Sequence, residues 1–141
     1  MSDKRASLPV FIKPDYTQYK QYGQFVGEWT PSLLKKSVGN LVVDCTGKFR
    51  GNGQLVITLI YQSGHPDLSI DGLELMKHNE SLCNVKSSQV VNSDNRIIQY
   101  EISLKEYEAG TPFYLHFRLN GITEESLSRA DCKGLIFIRK K

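Results

Sequence analysis

GQLVITLIYQSGHPDLSIDGLELM, residues 53–76, decides how the rest of the chain is read. Leu55 to Gln62 is an eight-residue apolar run rich in β-formers, Ser63-Gly64-His65-Pro66 has turn chemistry, and a second run with alternating apolar positions follows. This is the pattern of a strand, a turn and a strand. Leu55, Ile57, Leu59 and Tyr61 share one parity and Val56, Thr58 and Ile60 the other, so the first strand is apolar on both faces and is expected to be central. In the second run Leu68 and Ile70 lie on one parity and Leu73 and Leu75 on the opposite one. All four reach the same core only if one extra residue is inserted near Asp71-Gly72, which predicts a β-bulge there.

The same periodicity extends outward in both directions. Gln24 to Trp29 reads as a short strand closed by Thr30-Pro31, because proline cannot continue a central ladder. Ser32 to Lys36 suits one helical turn, Val38 to Thr46 a strand, and Lys48 to Gly53 a turn-rich connection. After Met76, Lys77 to Leu82 reads as a hairpin-like polar turn, and Leu82 to Val91 as a strand with weaker alternation. Beyond the turn at Asn92 to Asn95, Ile98, Tyr100, Ile102 and Leu104 alternate with Gln99, Glu101 and Ser103, and Phe113, Leu115, Phe117 and Leu119 alternate with Tyr114, His116 and Arg118. Both are strands with one wet face. Lys105 to Pro112 connects them, a short helix is expected around Glu124 to Arg129, and Leu135 to Ile138 is the final strand. About eight strands with almost no helical period predict an all-β fold, an antiparallel β-sandwich of jelly-roll type over residues 23–141. Residues 1–22, polar and carrying Pro9, Pro14 and tyrosines at 16, 19 and 22, read as an N-terminal arm or linker.

Composition narrows the function classes. A chain of 141 residues buries enough surface for one ordinary domain without metals or disulfides. No apolar run approaches the roughly 20 residues that span a bilayer. The net charge of +3 comes partly from the two ends, with the other basic residues mixed among acids, so nucleic acid is not an expected partner. Met1 to Pro14 contains no stretch suited to a signal peptide, which points either to a cytoplasmic chain or to a mature or excised segment. Cys45, Cys83 and Cys132 are widely spaced with no CxxC, the pattern of free buried thiols.

Motifs for catalysis are missing, with no GxSxG, Walker loop, HExxH or GxGxxG, so a non-catalytic chain is expected. His65, His78 and His116 have no second histidine or cysteine at ligand spacing, and no metal or cofactor is expected. Asp67, Asp71 and Glu74 form a carboxylate set that reads best as solvated edge charge, since glycosidase chemistry needs two carboxylates at a defined separation. Asn79-Glu80-Ser81 is a formal glycosylation triplet of little weight. Trp29, the only tryptophan, has two readings: an exposed indole stacked on the apolar face of a sugar, or a buried seal at one end of the sandwich.

Three blocks of the chain carry a resemblance. They are Val26-Gly27-Glu28-Trp29-Thr30-Pro31; then Tyr61, Ser63-Gly64, Leu68-Ser69-Ile70 and Leu73-Glu74-Leu75; then Lys105, Tyr107, Gly110 and Phe113 to Gly121. From Gln24 to Ile138 the chain resembles an accessory β-sandwich domain attached to β-N-acetylhexosaminidase-type and α-L-fucosidase-type glycoside hydrolases of Bacteroidetes-like bacteria. The sequence departs from that family in two loops. Cys83 to Val91 lacks its Asp-x-His and glycine pattern, and Ile122 to Lys133 replaces its glycine-rich loop. The resemblance implies a periplasmic or secreted, non-catalytic module that binds glycans or packs against a glycoside hydrolase catalytic domain. An aromatic platform with a few polar groups would do the binding, and Trp29, Tyr61, His65 and Arg118 are the candidates. The alternative is a protein-protein interaction or structural module with no small-molecule ligand.

Overall fold

A computed structural model describes residues 17–36, 38–46, 53–104 and 113–141. Most of the N-terminal arm and of the 48–53 connection, and the whole 105–112 connection, lie outside the described residues. The chain forms eight strands: β1 (Gln24–Trp29), β2 (Asn40–Asp44), β3 (Gly53–Ser63), β4 (Leu68–Lys77), β5 (Glu80–Val91), β6 (Ile97–Leu104), β7 (Tyr114–Leu119) and β8 (Lys133–Lys140). Two short helices, α1 (Pro31–Lys36) and α2 (Glu124–Ser128), and a 3-10 helix at Thr17–Tyr22 accompany them. The strands make two four-stranded antiparallel sheets, ordered β1-β8-β3-β6 and β2-β7-β4-β5. This is a jelly roll.

The sheet order follows from one long hairpin folded over on itself. Its tip is the two-residue turn His78-Asn79, where Lys77 pairs with Glu80. Moving outward from the tip, β4 pairs with β5, β3 with β6, β2 with β7 and β1 with β8, and successive pairs fall in alternate sheets. Thus β3 and β4, adjacent in sequence, lie in opposite sheets, and the turn at Ser63 to Pro66 crosses between layers rather than closing a hairpin.

Parity determines what each strand buries. The anticipated bulge is present: against β7, Ile70 pairs with Leu119 and Gly72 with Arg118, which leaves Asp71 as the extra residue. Asp71 is exposed while Leu68, Ile70, Leu73 and Leu75 are all buried in the main core. That core also takes Leu55, Ile57 and Leu59 from β3, Tyr100 and Ile102 from β6, Leu115 and Phe117 from β7 and Ile136 and Ile138 from β8. The helices add Leu34 and Leu127. Pro31 opens α1 at a position where its missing N–H costs nothing, and Thr30 caps it by accepting from the Leu33 amide at 3.3 Å. In α2, Thr123 and Ser126 accept from each other's amides at 3.1 and 2.9 Å, a complete capping box.

The central position of β3 leaves a second apolar face to cover. Ile60 joins Leu135 and Phe137 in a smaller outer cluster, against which Tyr19, Tyr22 and Phe25 pack. The rings of Tyr19, Tyr22 and Phe25 sit 5.5, 6.2 and 5.7 Å from that of Phe137. Two of the three arm tyrosines therefore serve as part of the sandwich. Thr58, the one buried polar residue of the described core, accepts from the Gln99 side chain at 3.1 Å.

Cys45 and Cys132 are buried free thiols, whereas Cys83 on β5 is half-buried. Burial pushes the Cys45 thiol from 9.0 up to about 12 and the Tyr100 hydroxyl from 10.0 up to about 12. Both groups are neutral when protonated, so between pH 9 and 12 the folded chain holds protons that the unfolded chain releases. Their stabilising effect is complete below pH 9 and is lost as pH rises through that window. The urea midpoint is therefore expected to fall steadily above pH 9. Tyr100→Phe, which removes the hydroxyl that donates to the Ser87 carbonyl at 2.8 Å, should lower stability by about 1 kcal/mol at neutral pH and make that fall shallower.

Candidate functional site

Of the four candidate residues, Trp29 is excluded from ligand contact by its position. It is 1% exposed and faces Gly134, its partner on β8, so closely that a β-carbon on Gly134 would lie 2.0 Å from the indole. The indole belongs to the main core, as in the buried-seal reading, and presents no face on which a sugar stacks. Trp29 therefore supplies no aromatic platform at the surface.

Tyr61 and His65 come together at the corner where the chain passes from β3 to β4. Several independent ties hold this corner. The Tyr61 hydroxyl donates to the Gly64 carbonyl at 3.2 Å, and the Tyr61 amide donates to the Arg96 carbonyl at 2.8 Å. The His65 amide donates to Asp131 Oδ1 at 2.8 Å, and the His65 carbonyl accepts from the Asp131 and Cys132 amides at 2.9 and 3.0 Å. Gly64 has φ +86 and lies against the Asp131 backbone, a conformation and a space that a side chain would not fit. The turn is thus fastened to the segment that leads from α2 into β8. Across the corner, the Asn92 side chain accepts from the Asp94 and Asn95 amides and donates to Asp67 at 3.2 Å.

Two clefts flank this fastened turn. One, of about 390 Å³, is lined by Tyr19, Ile60, Tyr61, Gln62, Arg96 and Ile97. It combines aromatic and aliphatic walls with one amide and one guanidinium. Arg96 is held in place by the Tyr61 ring, whose centroid lies 5.5 Å from the guanidinium carbon. The other, of about 380 Å³, lies between the turn and α2 and is lined by His65, Pro66, Thr123, Glu125, Ser126 and Arg129. Both have the size of small-ligand sites. The first is rich in stacking surface and the second in polar groups.

Arg118 lines neither cleft. It lies on the outer face of the second sheet, where Nη1 donates to Glu74 Oε1 at 2.9 Å and Nη2 to Asn84 Oδ1 at 3.4 Å. The three carboxylates near the corner are separated in role. Asp67 is held by Asn92, Asp71 is the exposed bulge residue and Glu74 is paired with Arg118. No two of them form a pair. Among the described residues no group of three or more His, Cys, Asp or Glu side chains is arranged to hold a metal ion, and no helix is long and apolar enough to cross a membrane.

Sequence reading missed Tyr19, Gln62 and Arg96. Tyr19 belongs to a visible tyrosine repeat, but its landing place on β8 is a tertiary fact. Arg96 follows the Asn92 to Asn95 turn, and nothing in its neighbours announces the β3 tyrosine that it covers. No family model matches the chain. Among curated proteins, none matches it either.

The close fit at Trp29 gives a direct check on its role. Gly134→Ala is expected to lower stability by about 1–3 kcal/mol in urea denaturation, through overpacking against the indole.

Proposed function

We propose that the chain is a non-catalytic accessory module of carbohydrate processing, which holds a glycan at the β3–β4 corner. The observation that carries this reading is that Tyr61 and His65 lie on either side of one turn, each lining a cleft of ligand size. Sugars are recognised through their apolar C–H faces and their hydroxyls together. Tyr19, Ile60 and Ile97 offer surface for the first, while Gln62 and Arg96 offer hydrogen bonds for the second. The separate polar cleft beyond the turn adds His65, Glu125 and Arg129. The dispersal of Asp67, Asp71 and Glu74 favours binding over hydrolysis, because cleaving a glycosidic bond calls for two carboxylates facing each other across a substrate. The resemblance of residues 24–138 to accessory domains of glycoside hydrolases supports the same assignment, with a periplasmic or secreted setting and a catalytic domain as neighbour.

Calorimetric titration with a panel of N-acetylglucosamine and fucose-containing oligosaccharides tests the reading. At least one is expected to bind, and Arg96→Ala and Gln62→Ala should each weaken it, the former by about tenfold or more because a charged hydrogen-bonding group is lost. A panel in which no oligosaccharide binds would remove the glycan reading and leave the packing role against a catalytic domain.

A further inference from the structure

The outer face of the β2-β7-β4-β5 sheet carries an ordered polar array that the corner site does not use. Register places Asn40, Arg118, Gly72 and Lys86 in one row across the four strands, and Val42, His116, Glu74 and Asn84 in the next. Asp44, Tyr114, Met76 and Ser81 form the third. Side-chain bonds knit the first two rows together from edge to edge. His116 Nε2 and Asn40 Oδ1 are 2.5 Å apart, and Arg118 bridges Glu74 and Asn84.

Gly72 explains why the arginine lies flat. A β-carbon there would come within 2.3 Å of Arg118 Nη2, so the guanidinium occupies the space that any other residue on β4 would fill. The fork is fixed against the sheet with its side chain 31% exposed, beside a Glu74 side chain that is 20% exposed. Much of the hydrogen-bonding capacity of the array is left over. Among the described residues, Arg118 Nε, the second Glu74 carboxylate oxygen, the Asn84 amide nitrogen, His116 Nδ1 and the Tyr114 hydroxyl have no partner. Donors and acceptors therefore alternate across the sheet face, with the ring of Tyr114 in the neighbouring row.

Charge decides among ligand classes. Among the described residues of the first two rows, Lys86 stands on the edge strand β5 and Arg118, on β7, is 2.9 Å from a carboxylate, so a phosphate or sulfate at the centre would meet Glu74 at the place where it needs Arg118. A protein partner calls for an apolar centre depleted of charge, and here the centre is an ion pair, with Val42, 44% exposed, lying to one side. A neutral polyhydroxylated chain needs a planar set of donors and acceptors with one ring to pack on. We propose that this sheet face is a second binding surface, which takes an extended neutral oligosaccharide through Arg118, Glu74, Asn84, His116 and Tyr114. The proposal rests on the carbohydrate reading above and adds a site for the interior of a chain to a corner suited to fewer sugar units.

The test is an NMR titration of the whole chain with a linear β-linked N-acetylglucosamine oligomer, following backbone amides, the Asn84 side-chain amide and Arg118 Nε–H. Shifts are expected across β7 and β4, and should persist in Arg96→Ala. Arg118→Lys keeps the charge but loses the planar fork, and should weaken these shifts by about tenfold in affinity. Glu74→Gln, which keeps an acceptor, should weaken them less, and thermal melts of both variants establish that they fold. Shifts confined to the corner, or an affinity unchanged in Arg118→Lys, would overturn the second surface and leave the corner site standing. An oligomer that moves no signal on β7 and β4 would overturn the second surface, while the corner site is judged by its own oligosaccharide panel. A dimer in light scattering that Arg118→Glu dissociates would assign the face to protein contact and overturn the proposal.

Discussion

Burial of β3 on both faces is the constraint from which the rest of the architecture follows. A strand that shows Leu55, Ile57 and Leu59 to one side and Val56, Thr58 and Ile60 to the other cannot stand at an edge or on a wet sheet. It takes β6 and β8 as neighbours, sets its first face into the core between the sheets, and needs a lid for the second. Tyr19, Tyr22 and Phe25 supply part of that lid. The same demand brings Tyr19 to the edge of the cleft beside Tyr61, so a residue recruited for covering the sheet also shapes the candidate site.

Much of the fold was legible because strand periodicity is a local property. The parity switch between Ile70 and Leu73 implied a bulge, and the register with β7 has one at Asp71. The wet-face alternation of Ile98 to Ile102 and of Phe113 to Phe117 corresponds to the buried residues of β6 and β7. What the sequence left open was decided by distance along the chain. Nothing local to Ser63-Gly64-His65-Pro66 says whether the turn joins partners within a sheet or crosses between sheets, since the answer depends on β6 and β8 claiming the edges of β3.

The site was less legible, for the same reason. Trp29 attracts attention as a lone indole, but its exposure depends on Gly134, a residue on the far strand of the chain with no side chain to hold it away. Tyr61 and His65 were readable as turn-flanking residues, whereas Arg96 and Arg129 reach the corner from other elements. Arg118 was correctly placed on a wet face, but its partners Glu74 and Asn84 appear only once the register of three strands is known.

The nested pairing that ends with β1 against β8 has a geometric corollary. Gln24 is the register partner of Ile138, so the path into the folded unit and the path out of it run side by side along one sheet edge. Such a unit occupies a single point of attachment. Set within a longer polypeptide, it would hang from a neighbouring domain like a tag on a loop, adding a surface without separating the residues on either side of it.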